Sequence, residues 1–167
     1  SLEKNVACVK TSSVGRLFDG VSALLGIVDR VSFEGQAAQG LEFSAQDDEG
    51  RYPVATLEGT PLVIDWGPLL DAIQADGPSG ISIGRRAARF HNTLAEVVVQ
   101  VARRAGEKRV ALSGGCFQNV RLLTAVVRRL EAEKVKVLFH RRVPPNDGGL
   151  SLGQAAVVRA GGGSSRI

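Results

Sequence analysis

The 167 residues are 44% apolar and 23% charged, proportions that support one domain with a real core; with no run of about 18 apolar residues and no secretory leader, neither a membrane-spanning nor a secreted chain is expected. The formal charge of +4 is scattered over pairs such as Arg85-Arg86, Arg103-Arg104, Arg128-Arg129 and Arg141-Arg142, which read as solvated helix faces, and 5% aromatic content offers bases little to stack on, so nucleic acid is not an expected partner. Cys8 and Cys116 stand outside any CxxC or Cys/His spacing, which argues against a disulfide framework or structural zinc and for a reducing, cytoplasmic setting.

In chain order, residues 6–9 read as a short strand or frayed lead-in. Thr11-Ser12-Ser13 supplies N-cap hydroxyls for a helix with Val14, Leu17, Phe18, Val21, Leu24 and Leu25 at three-and-four spacing, closed by Gly26. A second helix is expected over about 33–46, capped by Ser32 and interrupted by Gly35 and Gly40. The acidic turn Asp47-Asp48-Glu49-Gly50 leads into a hairpin of 52–57 and 62–64 around Glu58-Gly59-Thr60-Pro61. Asp65 then caps a helix with Pro68 in its first turn and Trp66, Leu69, Leu70 and Ile73 on one side, ending near Asp76-Gly77-Pro78.

The longest helix covers about 81–105, where Ile83, Ala87, Phe90, Leu94, Val97, Val98, Val101 and Ala102 form a broad apolar stripe. From Arg109 the pattern alternates strand, helix, strand, helix over 110–113, 119–133, 135–139 and 149–160, which favours parallel pairing with right-handed crossovers. Residues 1–160 form one unit in this reading, and 161–167 a flexible tail.

Two segments carry the chemistry. In Val110-Ala111-Leu112-Ser113-Gly114-Gly115-Cys116-Phe117-Gln118-Asn119, an apolar strand runs into a Gly-Gly turn and an amphipathic helix, which exposes N–H groups and a helix N-terminus to an anion. Gly114 and Gly115 stand where ligands collect in open α/β sheets, although tight turns alone also call for glycine. Asn119 either bonds a base or ribose, or caps its helix. Some 30 residues on, Pro144-Pro145-Asn146-Asp147-Gly148-Gly149 holds Asp147 at a loop tip, as an N-cap or as a hard ligand for Mg²⁺ or a similar cation bridging phosphates.

Asp19, one turn along the first helix, is either surface charge or, if Gly15 admits a ligand, an acceptor for ribose hydroxyls. Cys116 beside a helix N-terminus invites a nucleophile reading, but the sequence supplies it no partner. His91 reads as a satisfied interior side chain, and His140 as a strand-end residue on the Asp147 side.

Taken together, Thr11-Ser12-Ser13-Val14-Gly15-Arg16-Leu17-Phe18-Asp19, Phe33-Glu34-Gly35-Gln36-Ala37-Ala38, Ala88-Arg89-Phe90-His91, Leu112 to Asn119 and Pro144 to Gln154 resemble the HypF family, the carbamoyltransferases of nickel–iron hydrogenase maturation. The order and spacing of these five segments cover most of the chain and match the carboxyl-terminal part of the family's large domain, which is related to the TsaD threonylcarbamoyl-transferases. The resemblance implies an α/β fold, one lobe of an actin-like (ASKHA, ribonuclease H-like) ATPase with a mixed sheet flanked by helices. It also implies that carbamoyl phosphate and ATP give carbamoyl-adenylate, and that the carbamoyl group passes to the C-terminal cysteine of HypE.

By the same resemblance Gly114 and Gly115 would line the nucleotide phosphates and Asn119 would lie near the adenosine. Gly15 and Asp19 would contact the ribose region, and Asp147 would be a ligand of Mg²⁺ or another divalent metal. A HypE-like acceptor and the missing lobe of the parent enzyme would be the partners. The family's acylphosphatase-like module, CxxC zinc region, YrdC-like module and His-x-x-x-His motif are not in this sequence. The segment alone is therefore expected to lack two metal ligands and half the nucleotide cleft, to hold no catalytic nucleophile, and to be inactive. Two further readings are a silent scaffold with an exposed apolar face, which a homodimer could cover, and a TsaD-like tRNA-modifying enzyme, against which the Pro144-Pro145-Asn146-Asp147 loop and the Thr11-Ser12-Ser13 entry stand.

Overall fold

Ser13 starts the first helix as its sequence requires: in the computed structural model, which describes residues 11–161, its hydroxyl accepts the Arg16 N–H and α1 runs over Val14–Leu24. The strand read at 6–9 and the tail from 162 lie outside the described residues, while Gly161 belongs to the last helix. The second helix, α2 (Gln36–Ser44), begins later than its pattern suggests. Gly35 precedes it at φ 83°, a left-handed backbone that no helix can pass through. Ser32 does not cap it; its N–H and hydroxyl both donate to the Gln36 side-chain oxygen instead.

The hairpin is present but short, with β1 (Ala55–Leu57) antiparallel to β2 (Val63–Asp65). Residues 52–54 stay out of the ladder because the Tyr52 N–H is donated to Thr93 Oγ1 at 2.7 Å and Pro53 has none to give. Asp65 accepts the Gly67 N–H at 2.9 Å and so leads into α3 (Gly67–Asp76). The long helix α4 (Ile83–Ala105) is capped by Ser82 and stopped by Gly106.

Beyond it come β3 (Arg109–Leu112), a 3-10 turn over Gly115–Gln118, α5 (Val120–Ala132), β4 (Lys136–Phe139), a 3-10 turn over Asp147–Gly149, and α6 (Leu150–Gly161). β3 and β4 pair in parallel, from Arg109 opposite Lys136 to Leu112 opposite Phe139, as the alternation predicts. The α/β class holds. The antiparallel and parallel pairs form two separate two-stranded sheets among the described residues, rather than one mixed sheet.

The core is organised around α4, which packs on α5, α2 and α3. Phe90, Leu94, Ala95 and Val99 meet Phe18, Val21, Leu41, Leu69 and Ile73 from one part of the chain and Leu122, Val126 and Leu130 from another. Burial wraps further around α4 than a single stripe: Val99 is buried, whereas Ile83 and Val101 are exposed. At Gly84 the chain leaving α2 crosses in backbone contact. Gln46 N–H donates to Gly84 O at 3.0 Å, and a Cβ at Gly84 would lie 2.7 Å from Ser44 O.

Several arginines read as solvated, Arg85 and Arg103 among them, stay exposed and are ion-paired as well. Asp48 accepts from Arg85 at 2.7 Å and Arg89 at 3.0 Å, and Arg89 also reaches Asp76 at 2.9 Å. Arg103 pairs with Glu133, and Arg129 donates to Asn92 O at 2.9 Å. By contrast every residue of α6 is exposed, and its main contact is with the Asp147–Gly149 turn next to it. Among the described residues no helix is long and apolar enough to cross a membrane.

Candidate functional site

Both glycine-bearing loops leave the carboxyl ends of the paired strands, and the structure brings them together. Gly114 N–H donates to Pro145 O at 2.9 Å, a Cβ at Gly115 would lie 3.9 Å from Asn146 Cβ, and Ser113 Oγ is 3.0 Å from His140 Nε2. Gly114 has φ 99° and ψ 156°, a conformation closed to other residues. Around it there is open space, with nothing within 4 Å of an added Cβ. The glycine therefore serves backbone shape, and it leaves room for a ligand.

The neighbouring acid is not the helix cap. Asn146 Oδ1 accepts the Gly148 N–H at 3.1 Å, which leaves Asp147 exposed at the start of its turn. Among the described residues no three His, Cys, Asp or Glu side chains converge on a metal position. One carboxylate falls short of the oxygen donor set a divalent cation needs, so the residues present do not by themselves make the expected metal site.

The anion-binding geometry differs from the strand-to-helix reading. A 3-10 turn separates β3 from α5, and the second and third amides of α5 are already occupied. Arg121 N–H goes to Glu42 Oε1 at 3.0 Å and Leu122 N–H to Asn119 Oδ1 at 2.8 Å. Two of the amides an anion would use at the start of α5 are thus taken, while Ser113, Gly114 and Gly115 stand exposed ahead of it. Glu42 and Arg121, which also donates to Gln46 O at 2.7 Å, went unnoticed in the sequence because neither sits in a motif.

Asn119 is buried, with the helix-cap geometry and a second bond, from Nδ2 to His91 Nε2 at 3.0 Å. His91 is fully buried. Its Nδ1 lies 2.7 Å from Ala87 O, and since a carbonyl only accepts, Nδ1 carries the proton and Nε2 accepts from Asn119. Burial lowers the His91 pKa to about 4, Arg121 adding to this and the Ala87 bond opposing it. Cys116 is half-buried and burial pushes its thiol up, the reverse of what a nucleophile needs.

On α1, Gly15 is half-buried and Asp19 pairs with Arg16 at 2.9 Å on the wall of a cavity of about 330 Å³ shared with Val31, Phe33 and Gly35. α1 touches the Gly115–Gln118 turn. Beside Asp19, Phe18 meets the His91 ring edge-on at 5.6 Å between centroids. The α1 candidates and the loop candidates are thus joined through Phe18, His91 and Asn119.

A sequence model described as the second subdomain of the Kae1-like domain of carbamoyltransferases matches residues 1–154. The chain belongs to the HypF family. It is 41% identical over 148 residues to carbamoyltransferase HypF of Synechocystis sp., covering 86% of this chain and 19% of that protein. With HypF of Rhodobacter capsulatus it shares 43% over 162 residues, covering 94% and 21%. It spans about a fifth of the length of these curated relatives.

The crystal structure of full-length HypF in the phosphate- and nucleotide-bound form superposes with a TM-score of 0.88 at 36% identity, covering 98% of this chain and 27% of that one. HypF of T. kodakarensis superposes with a TM-score of 0.77 at 28% identity, covering 95% and 21%. Family and fold therefore agree, and they favour HypF over a tRNA-modifying relative.

Proposed function

We propose that this chain is the second lobe of a HypF-type enzyme that uses carbamoyl phosphate, water and ATP to form carbamoyl-adenylate, with phosphate and pyrophosphate released. The thiolate of the C-terminal cysteine of a HypE-like acceptor then attacks the carbamoyl carbon, and AMP leaves. What carries the reading is the clasp of the two loops at the carboxyl ends of parallel strands, Gly114 N–H on Pro145 O at 2.9 Å, the position where open α/β folds take phosphorylated ligands. A relative with the same fold was crystallised with phosphate and nucleotide bound.

In this reading the Gly114-Gly115 turn lines the phosphates and Asn119 closes it on the adenosine side. Asp19 faces the ribose across its cavity, with Gly15 one turn earlier on α1. Asp147 offers one carboxylate to Mg²⁺ or another divalent ion, whose remaining ligands come from the companion lobe. The lobe's contribution is positioning and charge stabilisation, with no nucleophile of its own.

Calorimetric titration with Mg-ATP tests this, on the unsubstituted chain and on Asp19→Ala and Asn119→Ala, alone and with the remainder of a HypF polypeptide added back. Saturable binding weakened by both substitutions is expected. An absence of saturable heat in both settings overturns the nucleotide reading. The exposed α6 favours, as the second reading, a docking module without chemistry, which would bind the remainder of HypF and leave nucleotide untouched.

A further inference from the structure

The Phe90-His91 pair stands outside every role given so far, yet its imidazole lies at the junction of the three elements that carry the candidate site. The ring is anchored one helical turn back by Nδ1 on Ala87 O at 2.7 Å. Its plane is fixed by Phe18, edge-on at 5.6 Å and 66°, and by Phe90 at 5.7 Å and 75°, while Phe18 and Phe90 themselves meet at 5.1 Å and 85°. With both constraints in place Nε2 points one way, to Asn119 Nδ2 at 3.0 Å. The other end of that amide is held by the Leu122 N–H at 2.8 Å.

An apolar side chain would fill the same space without asking for two polar partners. A serine or aspartate would cap α5 as well as asparagine does. What the pair adds is orientation: the amide offers the helix an acceptor from one atom and the imidazole lone pair a donor from another, a span that a single hydroxyl oxygen does not cover. Asn119 directly follows the Gly115–Gln118 turn, at φ −67° and ψ 108°, so fixing its side chain fixes where that turn ends.

We infer that His91 is a positioning residue, whose Nε2 lone pair holds the Asn119 amide and thereby presets the Gly114–Asn119 turn against α1. That the preset turn serves a nucleotide rests on the function proposed above.

The test compares His91→Leu, His91→Gln, Asn119→Ser and the double change His91→Leu/Asn119→Ser in the full chain, by hydrogen exchange over 115–122 and by Mg-ATP titration. His91→Leu keeps the volume and loses the acceptor; Asn119→Ser keeps the cap but, lacking the amide nitrogen, places no donor within reach of Nε2. Each is expected to speed exchange in the segment by about tenfold, as for loss of one buried hydrogen bond. The double change should be no worse than either single one, because both delete the same bond. His91→Gln, whose Oε1 can take the place of Nε2, should restore the unsubstituted rate to within about twofold.

Unchanged exchange in Asn119→Ser, additive effects, or failure of glutamine to do better than leucine would overturn the inference. If His91→Leu does not fold, Asn119→Ser and His91→Gln decide it. Mg-ATP separates the two ideas. Binding by the unsubstituted chain that His91→Leu leaves intact rejects His91 as a positioner for nucleotide and keeps the nucleotide reading. No binding by the unsubstituted chain, even with the remainder of HypF added, rejects the nucleotide reading, and exchange alone then decides whether His91 presets the turn.

Discussion

Deep in the α4–α5 junction, desolvation of the imidazole pulls the His91 pKa down to about 4 from 6.5, with Arg121 in the same direction and the Ala87 carbonyl against it. The unfolded chain therefore takes up this proton first as the pH falls. Stability linked to His91 is fully present above about 6.5 and is lost as the pH drops towards 4, a span worth about 3 kcal/mol. Denaturant unfolding followed from pH 7 to 4 should show that loss, and His91→Gln should flatten it.

Asp48 adds a second, more acidic phase. Burial raises its pKa, but the Arg89 and Arg85 side chains and the Gly50 N–H outweigh burial and bring it from 3.8 to about 2. Its contribution is present above about 3.8 and disappears as the pH falls to about 2. Asp48→Asn should remove this phase alone, while the loss between pH 6.5 and 4 persists.

At the level of elements, the crossing of α2 and α4 depends on what Gly84 lacks. A methyl there meets the Ser44 carbonyl at 2.7 Å, and backbone cannot swing aside as a side chain can. Gly84→Ala should cost about 1–3 kcal/mol by overpacking, outweighing any gain in helix propensity, and a midpoint at or above that of the unsubstituted chain in urea would refute the crossing. From the same side Glu42 takes the Arg121 N–H in the first turn of α5, so Glu42→Ala should open that amide to exchange while α4 stays protected.

Elements whose signals are local were readable in the sequence: a hydroxyl cap of α1 within Thr11-Ser12-Ser13, the Pro68 first turn of α3, the extent of α4 over about 81–105, and the parallel β3–β4 pair. Elements whose limits depend on distant partners were not. Tyr52 leaves the hairpin because Thr93 takes its N–H, and Arg85 and Arg89 are drawn together because Asp48 folds back on both. Of the candidate site, the glycines and the proline loop were visible as strings. Their mutual contact, and the direction in which Asn119 points, were not, since spacing along a chain specifies a face and never a partner.

For the molecule as a whole, stability is expected to be uneven. α4 is enclosed on several sides, whereas all twelve residues of α6 are exposed, among them Leu150, Leu152, Val157 and Val158. A helix of that length without a packed face is marginal in water. Exchange measured by mass spectrometry should therefore be fastest in α6 and slowest in α4. Protection of α6 equal to that of α4, rising with protein concentration, would instead reveal a second copy lying on it.

The clasp between Gly114 and Pro145 joins a main-chain donor to a main-chain acceptor across a parallel strand pair. No side chain takes part in it, so replacing Pro145 by alanine would leave both atoms in place, and substitution at that position would not report the clasp. The constraint would show when Gly114 is exchanged for a residue that cannot hold its backbone angles, or when the spacing between the two loops is changed by a single inserted residue. Drift among homologues at Pro145 should accordingly be free in chemistry, while the distance between the loops stays rigid in length.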